Sequence, residues 1–352
     1  MKKLIIPILV LALLLSGCGA WLDGEYHSVK PHASDGIKLP DDVVTVSDYD
    51  QVRDALLDMV TSGQLKSTFY IMGFDLETAD QYMLTAIEDV RQDSAVGAYA
   101  VEKIQFESGT SGGAAAIAIE VSYLHGRHEI LRIKNAENMK NVETMIGLAI
   151  RSCDPSIVIK VDQYENFDVE LFVQDYANRN PHLCMELPQV TANIYPDSGD
   201  ERVMEISFTY ITARDTLKNM QSTVAPIFSA AELYVQGSGS EIQKYEQLYA
   251  FLMERFDYTI ETSITPTYSL LRYGVGDSKA FALVYNVMCQ KANLKCQVIS
   301  GTKNGEAYYW NQIRYDNKEY HIDLLECNKA GKFTAMNPEE MKGYVWDYSP
   351  NQ

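Results

Sequence analysis

One pattern of apolar spacing occurs twice in this chain, and it limits the possible folds more than any other feature. Val52, Ala55, Leu56, Met59 and Val60 follow i, i+3, i+4, i+7, i+8, the spacing of an amphipathic helix. Val142, Met145, Ile146, Ala149 and Ile150 repeat it about ninety residues later. A β-rich run comes next in each copy, Thr68 to Met72 and Ile157 to Val161. A second helical stretch follows, around Met83, Leu84 and Ile87 in one copy and Leu171, Phe172 and Tyr176 in the other. Val101 to Phe106 then matches Val190 to Tyr195, and each leads through a turn into an alternating strand. Those strands carry Ile117, Ile119, Val121 and Tyr123, and Met204, Ile206, Phe208 and Tyr210. The order α-β-α-β-β thus recurs over residues 41–130 and 131–218, which predicts two small α+β layers, each a sheet covered on one face by its helices. Neither copy offers a catalytic set. Gly109-Thr110-Ser111-Gly112-Gly113 lacks the Gly-Lys-Ser/Thr ending of a phosphate loop and aligns with a plain turn in the second copy, so it reads as a hairpin loop. The repeats are expected to be spacers or interaction modules, with residues 219–239 as a connector.

The front of the chain predicts a location. Lys2 and Lys3 precede an apolar run from Leu4 to Leu15, which is too short for a bilayer span of about 20 apolar residues. Leu15-Ser16-Gly17-Cys18 resembles the lipobox of bacterial lipoproteins. That resemblance implies a signal peptide at 1–17 and lipidation of Cys18. Residues 18–40 would then be a polar tether, and the protein would sit on the extracytoplasmic face of a membrane. The net charge is −18, and losing Lys2 and Lys3 makes the remainder more acidic still. Such a balance excludes nucleic acid as a partner and excludes docking on anionic lipid by charge alone.

Five cysteines remain besides Cys18: Cys153, Cys184, Cys289, Cys296 and Cys327. An exported protein permits pairs such as Cys153 with Cys184 or Cys289 with Cys327, and the same residues also serve as small buried apolar groups. No cysteine spacing is that of a metal or redox site, and His125 and His128 read as a solvated turn, so no metal or cofactor is called for.

The last third, residues 240–352, carries the chemistry-bearing motifs. Ser240-Glu241-Ile242-Gln243 is a capping box opening a helix with Ile242, Tyr245, Leu248 and Leu252 on one face. Arg255-Phe256-Asp257-Tyr258 and Tyr268 to Leu271 follow, then Gly274-Val275-Gly276-Asp277 opens a helix reaching Lys291. Next come Tyr308-Tyr309-Trp310-Asn311, a two-residue turn at Asp316-Asn317, and Tyr320-His321-Ile322-Asp323. In order and spacing this series resembles the core of the bacterial transglutaminase-like superfamily, which has a papain-like cysteine fold. The expected architecture is therefore α+β, two duplicated α-β-α-β-β units followed by a transglutaminase-like domain.

The resemblance also implies a degenerate triad. Gly276 stands where the family has its nucleophilic Cys, Tyr308 where it has His, and Asp323 where it has the orienting acid. A thiolate at a helix N-terminus attacks, an imidazole moves protons, and the acid fixes the imidazole's tautomer. Gly276 has no nucleophile, and a phenol with an ordinary pKa near 10 is a poor base at neutral pH. The substitutions predict a cell-surface protein that binds rather than catalyses. The expected groove is lined by Tyr273, Asp277, Tyr308, Trp310 and Asp323, with a cell-wall peptide, a glycan or an envelope protein as ligand. The alternative is an envelope amidase or peptidase using a relocated site around Asp323, His321 and Asp277.

Overall fold

The computed structural model describes residues 43–237, 239–255, 257–258 and 266–347. The leader, Cys18, the 18–40 tether and Phe256 lie outside these residues. Among the described residues no helix is long and apolar enough to cross a membrane.

The first unit comprises β1 (Val44–Val46), α1 (Tyr49–Thr61), β2 (Lys66–Ile71), α2 (Leu76–Gln92), α3 (Ala95–Ala100), β3 (Val101–Ser111) and β4 (Ala114–Tyr123). A short helix, α4 (Arg127–Ile130), leads into the second. That unit has β5 (Lys134–Ala136), α5 (Met139–Ser152), β6 (Ser156–Val161), α6 (Val169–Arg179), β7 (Gln189–Tyr195) and β8 (Arg202–Thr209). The strand orders are β1-β2-β4-β3 and β5-β6-β8-β7, and in each sheet the first pair is parallel and the other two antiparallel. Each sheet therefore begins with a three-residue strand that the sequence pattern did not announce.

Local chemistry sets the helices in matching ways. Asp48 caps α1 by accepting from Gln51 N, and Asn138 caps α5 by accepting from Asn141 N. Val52, Leu56, Met59 and Val60 are buried under one sheet, and Val142, Ile146, Ala149 and Ile150 under the other. Each large member of such a stripe contributes about 1.5–3 kcal/mol by leaving water. The Gly109–Ser111 stretch is not a loop. It continues β3, and the turn falls on Gly112 and Gly113, both at positive φ (61° and 87°), which glycine adopts freely.

Residues 219–239 are not a loose connector. Most of them belong to α7 (Arg214–Tyr234), a 21-residue helix that buries Leu217, Met220, Val224, Phe228 and Ala231. This stripe, at spacings of three and four, fills the seam between the second unit and the last domain. Cys153 and Met185 of the second unit join that same core, so these two parts pack as one body.

The last domain contains α8 (Glu241–Met253), β9 (Asp257–Tyr258), α9 (Pro266–Tyr273), β10 (Val275–Gly276), α10 (Ser278–Lys291), β11 (Cys296–Lys303), β12 (Glu306–Tyr315) and β13 (Lys318–Ile322). It ends with α11 (Leu324–Ala330), a 3-10 turn at Pro338–Glu340 and β14 (Tyr344–Val345). Its four-stranded sheet has the order β13-β12-β11-β14, all antiparallel. The Ser240 capping box forms with both of its bonds, and Asp316 and Asn317 take positive φ in the β12–β13 turn. The helix α10 is buried along nearly its whole length, and Asn311 of β12 ties it to the sheet by donating to Ala282 O at 2.9 Å. The cysteines Cys153, Cys184, Cys289, Cys296 and Cys327 are free thiols. Burial pushes the Cys184 thiol up to about 12, so it is inert as a nucleophile.

Candidate functional site

At the start of α10, Asp277 is the N-cap and its carboxylate accepts from Ala280 N at 2.8 Å. The carboxylate is thus engaged with its own helix, as the first turn's unpaired N–H groups require. Gly276 is buried immediately before it. A Cβ on Gly276 would lie 2.9 Å from Ala280 Cβ and 3.1 Å from Leu270 Cβ. A side chain at position 276 would therefore force Ala280 or Leu270 to shift.

A second, buried cluster lies among β11, β12, the end of β13 and β14. Asp323 follows β13 and caps α11, its Oδ1 accepting from Leu325 N at 3.0 Å and Glu326 N at 3.1 Å. The Tyr308 hydroxyl donates to the same Oδ1 at 3.0 Å. Lys303 Nζ donates to Oδ2 at 2.8 Å, and the Tyr344 hydroxyl also donates to Oδ2. Five donors converge on a carboxylate that has about four lone-pair sites. Asp323 is 1% exposed and has no acceptor capacity left to orient another group.

Lys303 ties this cluster to its surroundings. Its ammonium bridges Asp323 and Glu326, each at 2.8 Å, and lies 4.7 Å and 5.1 Å from the ring centres of Tyr308 and Tyr344. Glu326 also takes Lys329 at 2.9 Å. Burial and then the charge of Asp323 hold the Tyr308 phenol well above its ordinary pKa. For Tyr344 the causes are burial and then its hydrogen bond to Asp323. Burial lowers Lys303, but its bonds to Asp323 and Glu326 outweigh this and raise it. Hydrogen bonds from Lys303 and Lys329 hold Glu326 below the usual carboxylate range. For Tyr308, Tyr344, Lys303 and Glu326 each shift favours the protonation state that the hydrogen bonds use.

The structure separates several residues expected to share a groove. Trp310 is 1% exposed and packs edge-on to Tyr344 and Trp346, so it is core and not lining. The buried Asp323 likewise cannot meet a ligand. Tyr273 is 65% exposed at the end of α9, edge-on to Tyr268. His321 does not serve Asp323. Its Nδ1 accepts from Trp310 Nε1 at 3.0 Å, and its ring lies against Trp346. Burial holds it neutral by lowering its pKa. The trio Asp323, His321 and Asp277 therefore shows none of the mutual hydrogen bonds a relocated site requires.

Sequence reasoning missed Lys303, Glu326 and Tyr344. For Lys303 and Tyr344 the signal is the strand register: β14 pairs Thr302 with Val345 and Lys303 with Tyr344, bringing residues far apart in the chain side by side.

Comparison with known proteins bears on the domain alone. The family model described as Transglutaminase-like superfamily matches residues 229–324. No curated protein matches. Among solved structures, one described as a TGase shares 11% identity over 55% of this chain and 58% of its own, with a TM-score of 0.26. One from Cytophaga hutchinsonii, described provisionally as a cysteine protease, shares 9% over 46% and 71%, with a TM-score of 0.27. One from Parabacteroides distasonis, described provisionally as a protease, shares 9% over 73% and 39%, with a TM-score of 0.24. The chain thus spans little over half the length of the TGase and well under half of the Parabacteroides protein. Residues 229–324, with the motifs and secondary structure they carry, are a transglutaminase-like domain.

Proposed function

We propose that this protein is a non-catalytic binding protein of the bacterial cell envelope, tethered through a lipid on Cys18. Its transglutaminase-like domain serves as a rigid recognition module and its two four-stranded units as spacers. The observation that carries this reading is the saturated carboxylate of Asp323, held by Tyr308, Tyr344, Lys303 and two backbone N–H groups. A triad acid must keep a lone pair for an imidazole, and here that place is taken by a phenol whose proton is held tightly. The crowded Gly276 supports the same conclusion from the nucleophile side.

The test is a pair of assays on the purified protein, amide hydrolysis and glutamine-to-amine exchange on peptide substrates. The expected result is no turnover above a heat-treated control. Turnover abolished by Asp323→Ala in a folded protein would overturn the reading. The tether is tested by metabolic labelling with an alkyne-bearing fatty acid, where label that persists in Cys18→Ser would rule it out.

A further inference from the structure

Beside the closed triad positions lies an open feature that no motif marks. Two half-enclosed cavities of about 400 and 490 Å³ run between α6 of the second unit and α10 of the last domain. They share Asn178, Lys279 and Leu283, so they form one trough across the joint. The second cavity is floored by Tyr309 and Asn286 and walled by Arg179 and Asp175.

Its polar groups are not satisfied by the chain itself. Asn286 is 3% exposed, yet its Oδ1 has no hydrogen-bond donor among the described residues. An unmet buried acceptor is costly, and native structures retain few of them. Lys279 and Arg179 both line the trough, and neither forms an ion pair among the described residues, in a chain of net charge −18. Lys279 Nζ lies 5.3 Å from the Tyr309 ring centre, and Arg179 Nε reaches only the Asp175 carbonyl at 3.4 Å. Two unpaired cations call for an anion, and the orphaned oxygen calls for an N–H or O–H donor close to it. Asp175 on the same wall opposes a polyanion such as a phosphate chain. A neutral sugar would leave both cations unpaired. A peptide with a free carboxylate supplies the single negative charge and the adjacent amide N–H together.

We infer that the trough between α6 and α10 binds a peptide carboxylate, with Lys279 and Arg179 holding the charge and Asn286 accepting from the neighbouring amide. This names the ligand class for the binding reading above and rests on it.

The experiment is calorimetric titration of the full-length protein in detergent with N-acetyl-Ala-Ala-Ala as the free acid and as its C-terminal amide. The expected result is saturable binding of the acid, with the amide and the Lys279→Met and Arg179→Met proteins each weaker by about tenfold or more. Asn286→Leu is expected to weaken binding without lowering the melting temperature, since it removes an unmet polar atom. Equal affinity for acid and amide, unchanged affinity in Lys279→Met, or binding of a neutral chito-oligosaccharide instead would overturn the assignment. No binding and no turnover would overturn the trough alone, whereas release of alanine from the peptide would overturn the non-catalytic reading as well.

Discussion

The Tyr308 hydroxyl lies 3.0 Å from Asp323 Oδ1 and donates to it, joining β12 to the N-terminus of α11. Hydrogen bonds to charged groups contribute about 1.5–3 kcal/mol, so Tyr308→Phe should destabilise the fold by an amount in that range. Asp323→Ala should cost more, about 3–5 kcal/mol, because it removes one of the two carboxylates on the part-buried Lys303, takes the acceptor from Tyr308 and Tyr344, and uncaps α11. Urea unfolding followed by circular dichroism checks both values. A catalytic remnant would behave differently, since active-site acids are often removed with little loss of stability.

Placing Cys at position 276 and His at position 308 should not create a reactive thiol. Gly276→Cys places a Cβ within 2.9 Å of Ala280 Cβ and must push α9 or α10 aside. Overpacking of this kind costs about 1–3 kcal/mol. The Gly276→Cys, Tyr308→His double variant should melt lower than wild type, and its new thiol should react with iodoacetamide no faster than an ordinary cysteine at pH 7. A fast-reacting thiol with peptide turnover would show that the site is only two residues from activity.

Mild acid should destabilise the protein through its buried histidines. Burial holds His182 down at about 4, with the positive charges of Lys291 and Arg151 adding to it, and burial also lowers His321. A histidine with a depressed folded pKa binds its proton more readily when unfolded. Stability is therefore full above pH 6.5 and falls as pH drops from 6.5 toward 4. His182 alone should account for on the order of 2 kcal/mol after allowance for its partial exposure. Glu326, whose pKa is lowered, contributes stability that is lost only at lower pH, below its ordinary value of 4.5. Unfolding midpoints measured between pH 7 and pH 4.5 isolate the histidines, and His182→Phe, beside Phe228, should flatten that limb.

Local rules made most of the secondary structure legible. The Ser240–Gln243 box and the Asp316-Asn317 turn are encoded within a few residues, and the apolar stripes of α1 and α5 announce buried faces. Two kinds of feature escaped. The strands β1 and β5 are three residues long and gain their identity only from a partner strand. The helix α7 hides its stripe behind Pro226, Ser222 and Thr223, which read as breakers until the core on both sides is present. For the site, Tyr308 and Asp323 stood out in the sequence, but the side chains that close over Asp323 did not. Nothing local says that Lys303 and Tyr344 will close over Asp323, because that follows from a two-residue strand pairing at the end of the chain. Alternation along β12 also placed Tyr308 and Trp310 on one face, but the return of β14 turned that face into core.

That return depends on a single glycine. Gly301 in β11 lies under β14, and a Cβ there would come within 2.3 Å of Val345 O, 2.8 Å of Trp310 Cη2 and 3.1 Å of Trp346 Cβ. Backbone oxygen and a buried indole do not yield as a flexible side chain would, so Gly301→Ala should displace β14. Displacing it removes Tyr344 from Asp323 and exposes one edge of Trp310. The expected loss is about 2–3 kcal/mol, from overpacking plus one charge-assisted hydrogen bond. Tryptophan fluorescence should shift to the red at the same time, while far-ultraviolet circular dichroism stays close to wild type. If the emission is unchanged and Tyr344→Phe costs nothing, β14 is not what seals the Asp323 cluster.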